Sequence, residues 1–105
     1  MTDRAADTYE FDADLWLWKA RTDSWTFVSL PTDLADEVLD RAGPTTRGFG
    51  SVRVEVTVGG TSWRTSLFPD GTLGTYVLPV KKAVRVAEGL VVGGAAHVRL
   101  RLVDV

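Results

Sequence analysis

Val52-Arg53-Val54-Glu55-Val56-Thr57-Val58-Gly59-Gly60-Thr61-Ser62-Trp63-Arg64-Thr65-Ser66-Leu67 reads as two strands around a two-residue turn. Four valines alternate with Arg53, Glu55 and Thr57, the period of a strand with one dry face and one wet face. Gly59-Gly60 is a turn of the hairpin type. It sets Val58 against Thr61, Val56 against Trp63, Val54 against Thr65 and Val52 against Leu67. The same register places Glu55 opposite Arg64 on the other face as a surface pair. A slip of one residue would turn every valine to solvent, so the register is strongly specified.

Working outward, Tyr9, Phe11, Ala13, Leu15 and Leu17 alternate with Glu10, Asp12 and Asp14 and read as one half-buried strand. Trp16 and Trp18 fall on its charged face. Arg21-Thr22-Asp23-Ser24 forms a turn, and Trp25 to Leu30 returns. Thr32 caps a first helix, with Asp33 and Asp36 near its positive end; Leu34, Val38, Leu39 and Ala42 make its stripe, and Gly43-Pro44 stops it. Downstream of the hairpin, Pro69-Asp70-Gly71 opens a loop running to Gly74, and Thr75 to Leu78 is a short strand. Pro79 starts a second helix with Val80, Ala83, Val84 and Ala87 as its stripe and Gly89 as its stop. Val98, Leu100 and Leu102 then point inward from a last strand, with His97, Arg99 and Arg101 outward.

The order is β-β-α-β repeated. Leu30-Pro31 leads into the first helix and Leu78-Pro79 into the second, which points to an internal duplication of about 48 residues. The fold class expected is mainly β: a small closed barrel of about six strands and pseudo-twofold character, plugged by two short helices. Closure hides the edge strands that a small β domain must protect. Residues 1–8 are polar and aperiodic and read as a disordered N-terminus, leaving 9–105 as one domain.

The 105 residues are 45% hydrophobic and 25% charged, enough for one core and a soluble surface. Without cysteine, thiolate catalysis, disulfides and zinc sites of the CxxC kind are excluded. No apolar run approaches the roughly 20 residues of a membrane span, and the first residues lack a signal-peptide core. A cytoplasmic location without membrane association is the expectation. The net charge of −2 conceals an asymmetry: residues 1–46 hold four Lys/Arg and ten Asp/Glu, residues 47–105 eight and four. The second part can therefore offer a basic patch.

Several ordered motifs carry a family resemblance. Tyr9-Glu10-Phe11 with Trp16, then Arg47-Gly48-Phe49-Gly50-Ser51-Val52-Arg53-Val54, then Gly59-Gly60-Thr61 with Trp63 to Pro69, and Tyr76-Val77-Leu78-Pro79-Val80-Lys81, together resemble the bacterial domain-of-unknown-function family 1905. That resemblance implies a double-split β-barrel, the fold group that includes AbrB-like and MazE-like DNA-binding regulators. There two chains intertwine to build the barrel; here one chain would supply both halves. The family is related to the N-terminal part of YdeI/OmpD-associated proteins and implies no activity.

Motifs for chemistry are sparse. The one histidine, His97, stands on an outer face, and no GxSxG elbow, P-loop or dinucleotide fingerprint occurs. Glu10, Asp12 and Asp14 share a strand face and read as wet surface; no catalytic residue, metal ligand set or cofactor is expected. The second helix carries Lys81, Lys82 and Arg85 near its start with no Ser, Thr, Asp or Asn cap. Cations there oppose the helix dipole, and free N–H groups beside lysines suit an anion. Arg47, Ser51, Arg64 and Ser66 are the residues expected to converge on them. A non-catalytic module for a small anionic or polar ligand is thus the first expectation. Two alternatives stand beside it. One is weak DNA binding by fold analogy, which the acidic balance and absence of a basic run disfavour. The other is a protein-interaction or homodimerisation module built on Trp16, Trp18 and Trp25, in a chain that is either monomeric or dimeric. The preferred reading of those rings is that they cover the barrel core, and on it that alternative loses its basis.

Overall fold

The computed structural model describes residues 8–19, 24–42 and 50–103. Seven strands and two helices follow one another: β1 (Thr8–Asp14), β2 (Trp16–Lys19), β3 (Ser24–Ser29), α1 (Thr32–Ala42), β4 (Val52–Val58), β5 (Thr61–Asp70), β6 (Thr75–Pro79), α2 (Lys82–Glu88) and β7 (Ala95–Leu102). Thr8, expected within the disordered N-terminus, opens β1; residues 1–7 lie outside the described residues. Of the first turn, residues 21–23 do too, as does the Gly43-Pro44 stop.

All seven strands lie in one antiparallel sheet, ordered β1-β7-β4-β5-β6-β3-β2 and curled into a half-barrel. The β4–β5 hairpin has the register its alternation dictates, from Val52 opposite Leu67 to Val58 opposite Thr61. Gly59 takes a φ of 58° in the turn, a region where side chains strain the backbone. It also lets the Glu88 carboxylate of α2 approach; a Cβ at Gly59 would lie 2.0 Å from Glu88 Oε1.

The ladder pattern is unchanged when the two β-β-α-β units are exchanged. The β2–β3 hairpin corresponds to β5–β6, and β1–β7 corresponds to β5–β4. The remaining ladders, β3–β6 and β4–β7, exchange with themselves. At one end of each, Ser29 faces Val77 and Val54 faces Leu102, residues 48 apart in each case. That is the interval at which Leu-Pro recurs ahead of the helices, so the duplicated phrase and the strand pairing report the same relation.

The units differ in their first strand. β5 runs unbroken through ten residues, pairing with β4 along its first part and with β6 along its last. Its counterpart is not the single strand that alternation predicts, because it breaks at Leu15. The Leu15 N–H donates to the Gly94 carbonyl at 2.9 Å, and its own carbonyl accepts from Gly93 N–H at 2.8 Å. With both backbone groups satisfied by the turn before β7, the ladder cannot run through Leu15. This break raises the strand count from six to seven. It also leaves the sheet's two end strands, β1 and β2, consecutive in the chain.

The core lies within the curl. Leu15, Val28, Val38, Val54, Val56, Leu67, Leu78, Val98 and Leu100 are fully buried, each contributing on the order of 2 kcal/mol of gross hydrophobic stabilisation. Both helices depart from their expected stripes. α1 begins at Thr32 itself and buries Ala35, Val38 and Ala42 against the sheet, while Leu39 is 54% exposed. α2 begins three residues after Pro79, with Lys81 at its cap; Val84 is its one buried residue, and Ala83 and Ala87 are exposed. Val80 is buried, but just ahead of the helix. Gly89, at φ 66°, ends α2 in the left-handed conformation. No helix among the described residues is long and apolar enough to cross a membrane.

Candidate functional site

The described residues among those expected to form an anion site are distributed over different surfaces. Lys81 and Lys82 are exposed at the start of α2, and no side chain caps the helix. Arg85 is half-buried, and its Nε donates to the Val80 carbonyl at 3.3 Å, turning back onto its own helix start. Val84 packs α2 against the inner, valine-bearing face of the sheet, and Thr61 donates its hydroxyl hydrogen to Glu88 there. Arg64 and Ser66 stand on the opposite face of β5, facing Glu55 and Arg53. Ser51 is half-buried just ahead of β4. Arg47 lies outside the described residues. The strand period, which sends neighbouring residues to opposite faces, separates Arg64 and Ser66 from the α2 cations.

On the outer face of β1, β7 and β4 the alternation collects charge. Glu55 lies opposite both Arg64 and Arg101, and it is Arg101 whose Nη2 donates to Glu55 Oε1 at 2.7 Å. That hydrogen bond, together with the guanidinium charges of Arg101 and Arg64, holds the Glu55 carboxyl below its usual range. The expected Glu55–Arg64 pair is thus replaced by Glu55–Arg101. Nearby, Thr8, Glu10, Thr57, Arg99 and Arg101 border an open depression of about 460 Å³.

His97 faces Asp12 across the β1–β7 ladder. Its Nε2 is 2.8 Å from Glu10 Oε1 and its Nδ1 is 2.7 Å from Asp12 Oδ1. Carboxylate oxygens only accept, so both contacts are hydrogen bonds only when the ring carries two protons. Glu10 first and Asp12 second therefore raise the His97 pKa above the ordinary imidazole value. The linkage has a definite sign. Stabilisation from a raised pKa is complete below the unfolded value of about 6.5 and is lost as pH rises through the folded value. The urea midpoint is expected to fall between pH 6 and pH 8, and His97→Gln is expected to flatten that dependence. Identical pH profiles for the two proteins would remove His97 from the account. Because the cluster is open to solvent, salt should also shrink the effect.

The outer face of β2, β3 and β6 is different in kind. The hairpin register pairs Trp18 with Trp25 and Trp16 with Phe27, placing four aromatic rings on one face. Phe27 faces Pro79 and Ser29 faces Val77 on the adjoining strand. Trp16 is half-buried, tilted against Phe27 with ring centres 5.1 Å apart, and its Nε1–H donates to Ser29 Oγ at 2.9 Å. Trp18 is 48% exposed and Trp25 54% exposed. The reading that the tryptophans cover the core is corrected here: the strand period turns them outward, while Thr26 and Val28, the alternate residues of β3, are buried.

Two adjoining depressions, of about 330 and 400 Å³, share Trp16, Trp18 and Asp70. Asp70 reaches this face because it ends β5 and closes the connection to β6. Its Oδ1 accepts from the N–H groups of Thr72 and Leu73 at 2.9 and 3.1 Å. Periodicity puts Trp16 and Trp18 on the charged face of their strand, but the presence of Asp70 among the rings does not follow from it. The density of tryptophan within one hairpin is the other signal that the sequence carries for this face.

A family model described as Domain of unknown function (DUF1905) matches residues 11–100. No curated protein matches the chain.

Proposed function

Since the chain belongs to the family of the domain of unknown function 1905, whose description assigns no reaction, we propose from the geometry that it is a non-catalytic module that binds an extended polypeptide segment across the outer face of β2, β3 and β6. The observation that carries this reading is the exposure of Trp18 and Trp25 beside the better-packed Trp16 and Phe27. Exposed tryptophans are costly to leave in water, and indole side chains are favoured anchors where proteins meet. Small molecules favour concave sites that bury most of their surface, whereas a row of shallow depressions suits alternate side chains of an extended chain.

In this reading the curled sheet is a double-split barrel closed by the covalent step through Leu15 rather than by a ladder. The symmetric strand pairing supports that view, and it makes the aromatic face a fixed wall rather than a mobile loop. The anionic-ligand reading has less behind it. α2 has only seven residues, Arg85 is engaged with Val80, and Arg64 and Ser66 stand across the sheet from Lys81 and Lys82.

The test is panning of a displayed random-peptide library on the parent protein. The selected peptides are then measured against the Trp18→Ala/Trp25→Ala double variant. Peptides are expected to bind the parent and to lose at least tenfold in affinity on the variant. Selection of peptides that bind both proteins equally, or recovery of none above background, overturns the reading.

A further inference from the structure

We infer that this aromatic face is selective for a cationic side chain, arginine foremost, held between the indole faces and the Asp70 carboxylate. The inference rests on the peptide-binding reading above and adds the chemistry of the residue recognised.

Charge complementarity carries it. Among the described residues bordering the two depressions, Asp70 is the sole ionisable one, and it lies where they join. Its Oδ1 is occupied by the turn it closes, and among the described residues Oδ2 has no donor. Four rings, Trp16, Trp18, Trp25 and Phe27, line the depressions with it, and the other described lining residues are uncharged. Aromatic faces are the negative part of the ring quadrupole, so four rings and a carboxylate make a surface of one sign. An anionic side chain is repelled there, and an aliphatic one leaves Oδ2 unanswered. A guanidinium satisfies both parts of the surface at once. Its plane stacks on indole, its edge carries donors in a fork that matches a carboxylate, and it is weakly hydrated and so cheap to move there. An ammonium offers charge without the planar stack and ranks second.

The orientation of Asp70 is built in rather than chosen by the ligand. The two backbone N–H groups of Thr72 and Leu73 fix one carboxylate oxygen, and the Gly74 N–H donates to the Asp70 carbonyl at 2.8 Å. A carboxylate held in this way loses little rotamer freedom on binding, which favours affinity. Asn at this position keeps a carbonyl oxygen for the turn and removes the charge, so it separates the two roles of Asp70.

The experiment follows the indole Nε1–H signals of the full-length, isotopically labelled protein during titration. The probes are capped Gly-Arg-Gly, capped Gly-Lys-Gly and capped Gly-citrulline-Gly, citrulline being the neutral shape analogue of arginine. Trp18 and Trp25 are expected to shift saturably with the arginine peptide and roughly tenfold more weakly with citrulline. Asp70→Asn is expected to bring arginine down to the citrulline level, with its backbone amide spectrum otherwise unchanged. Equal responses to arginine and citrulline in the parent would overturn the cation selectivity while leaving peptide binding standing. A silent titration with all three probes would also overturn it, and the library panning then decides the broader reading. Were Asp70→Asn to disturb the amides of β5 and β6, the parent's arginine-to-citrulline ratio alone decides.

Discussion

Leu100→Ala is expected to destabilise the protein by about 3 kcal/mol and to lower its melting temperature by roughly 15 °C. Leu100 is fully buried at the middle of β7, facing Tyr9 of β1 on one side and Val56 of β4 on the other. Removing its side chain opens a void bounded by two ladders, and strands hydrogen-bonded on both edges cannot move inward to fill it. The cost therefore includes the cavity as well as the lost transfer energy. Arg99→Ala, next to it in sequence but on the wet face, is the control, with an expected change within about 0.5 kcal/mol. Urea unfolding of both variants at one pH measures the contrast. A Leu100→Ala cost below about 1 kcal/mol would mean that β7 does not occupy the centre of this half of the sheet.

The second large effect separates rings that hold the fold from rings that await a ligand. Trp16→Ala is expected to cost about 2 kcal/mol, since the indole is half-buried, packs on Phe27 and bonds Ser29. The Trp18→Ala/Trp25→Ala pair, each ring about half in water, is expected to cost less than about 1 kcal/mol while abolishing peptide binding. Thermal unfolding and peptide titration on the same three proteins give a crossed pattern. Equal destabilisation by the single and double changes would make the outer tryptophans structural and leave the binding reading without support.

The local parts of the fold were legible in the sequence and the long-range parts were not. The Val52–Leu67 hairpin could be written down residue by residue, because a two-residue turn and one dry face admit a single register. The inward residues of β7 were equally plain from alternation. The break at Leu15 was invisible, since its cause is a backbone exchange with Gly93 and Gly94, far along the chain. The helix stripes were offset because short alanine-rich faces carry little hydrophobic contrast, and neighbouring contacts chose Ala35 over Leu39. The site was less legible still. Cations near a helix start drew the first expectation, but their positions depend on which sheet face α2 covers. The His97 clamp required knowing that β1 pairs with β7, and the placement of Asp70 required the β5–β6 connection.

The consecutive end strands have a consequence for how the molecule comes into being. During synthesis the β4–β5 hairpin can zip within microseconds of emerging, whereas β1, made first, waits. Its ladder partner β7 is made after the other six of these strands, and that one strand also completes β4. Until β7 is made the nascent chain therefore carries an unpaired segment in which Glu10, Asp12 and Asp14 alternate with Tyr9 and Phe11. These carboxylates, two of which (Glu10 and Asp12) later hold His97, keep that waiting segment in solution and discourage it from joining a neighbouring chain.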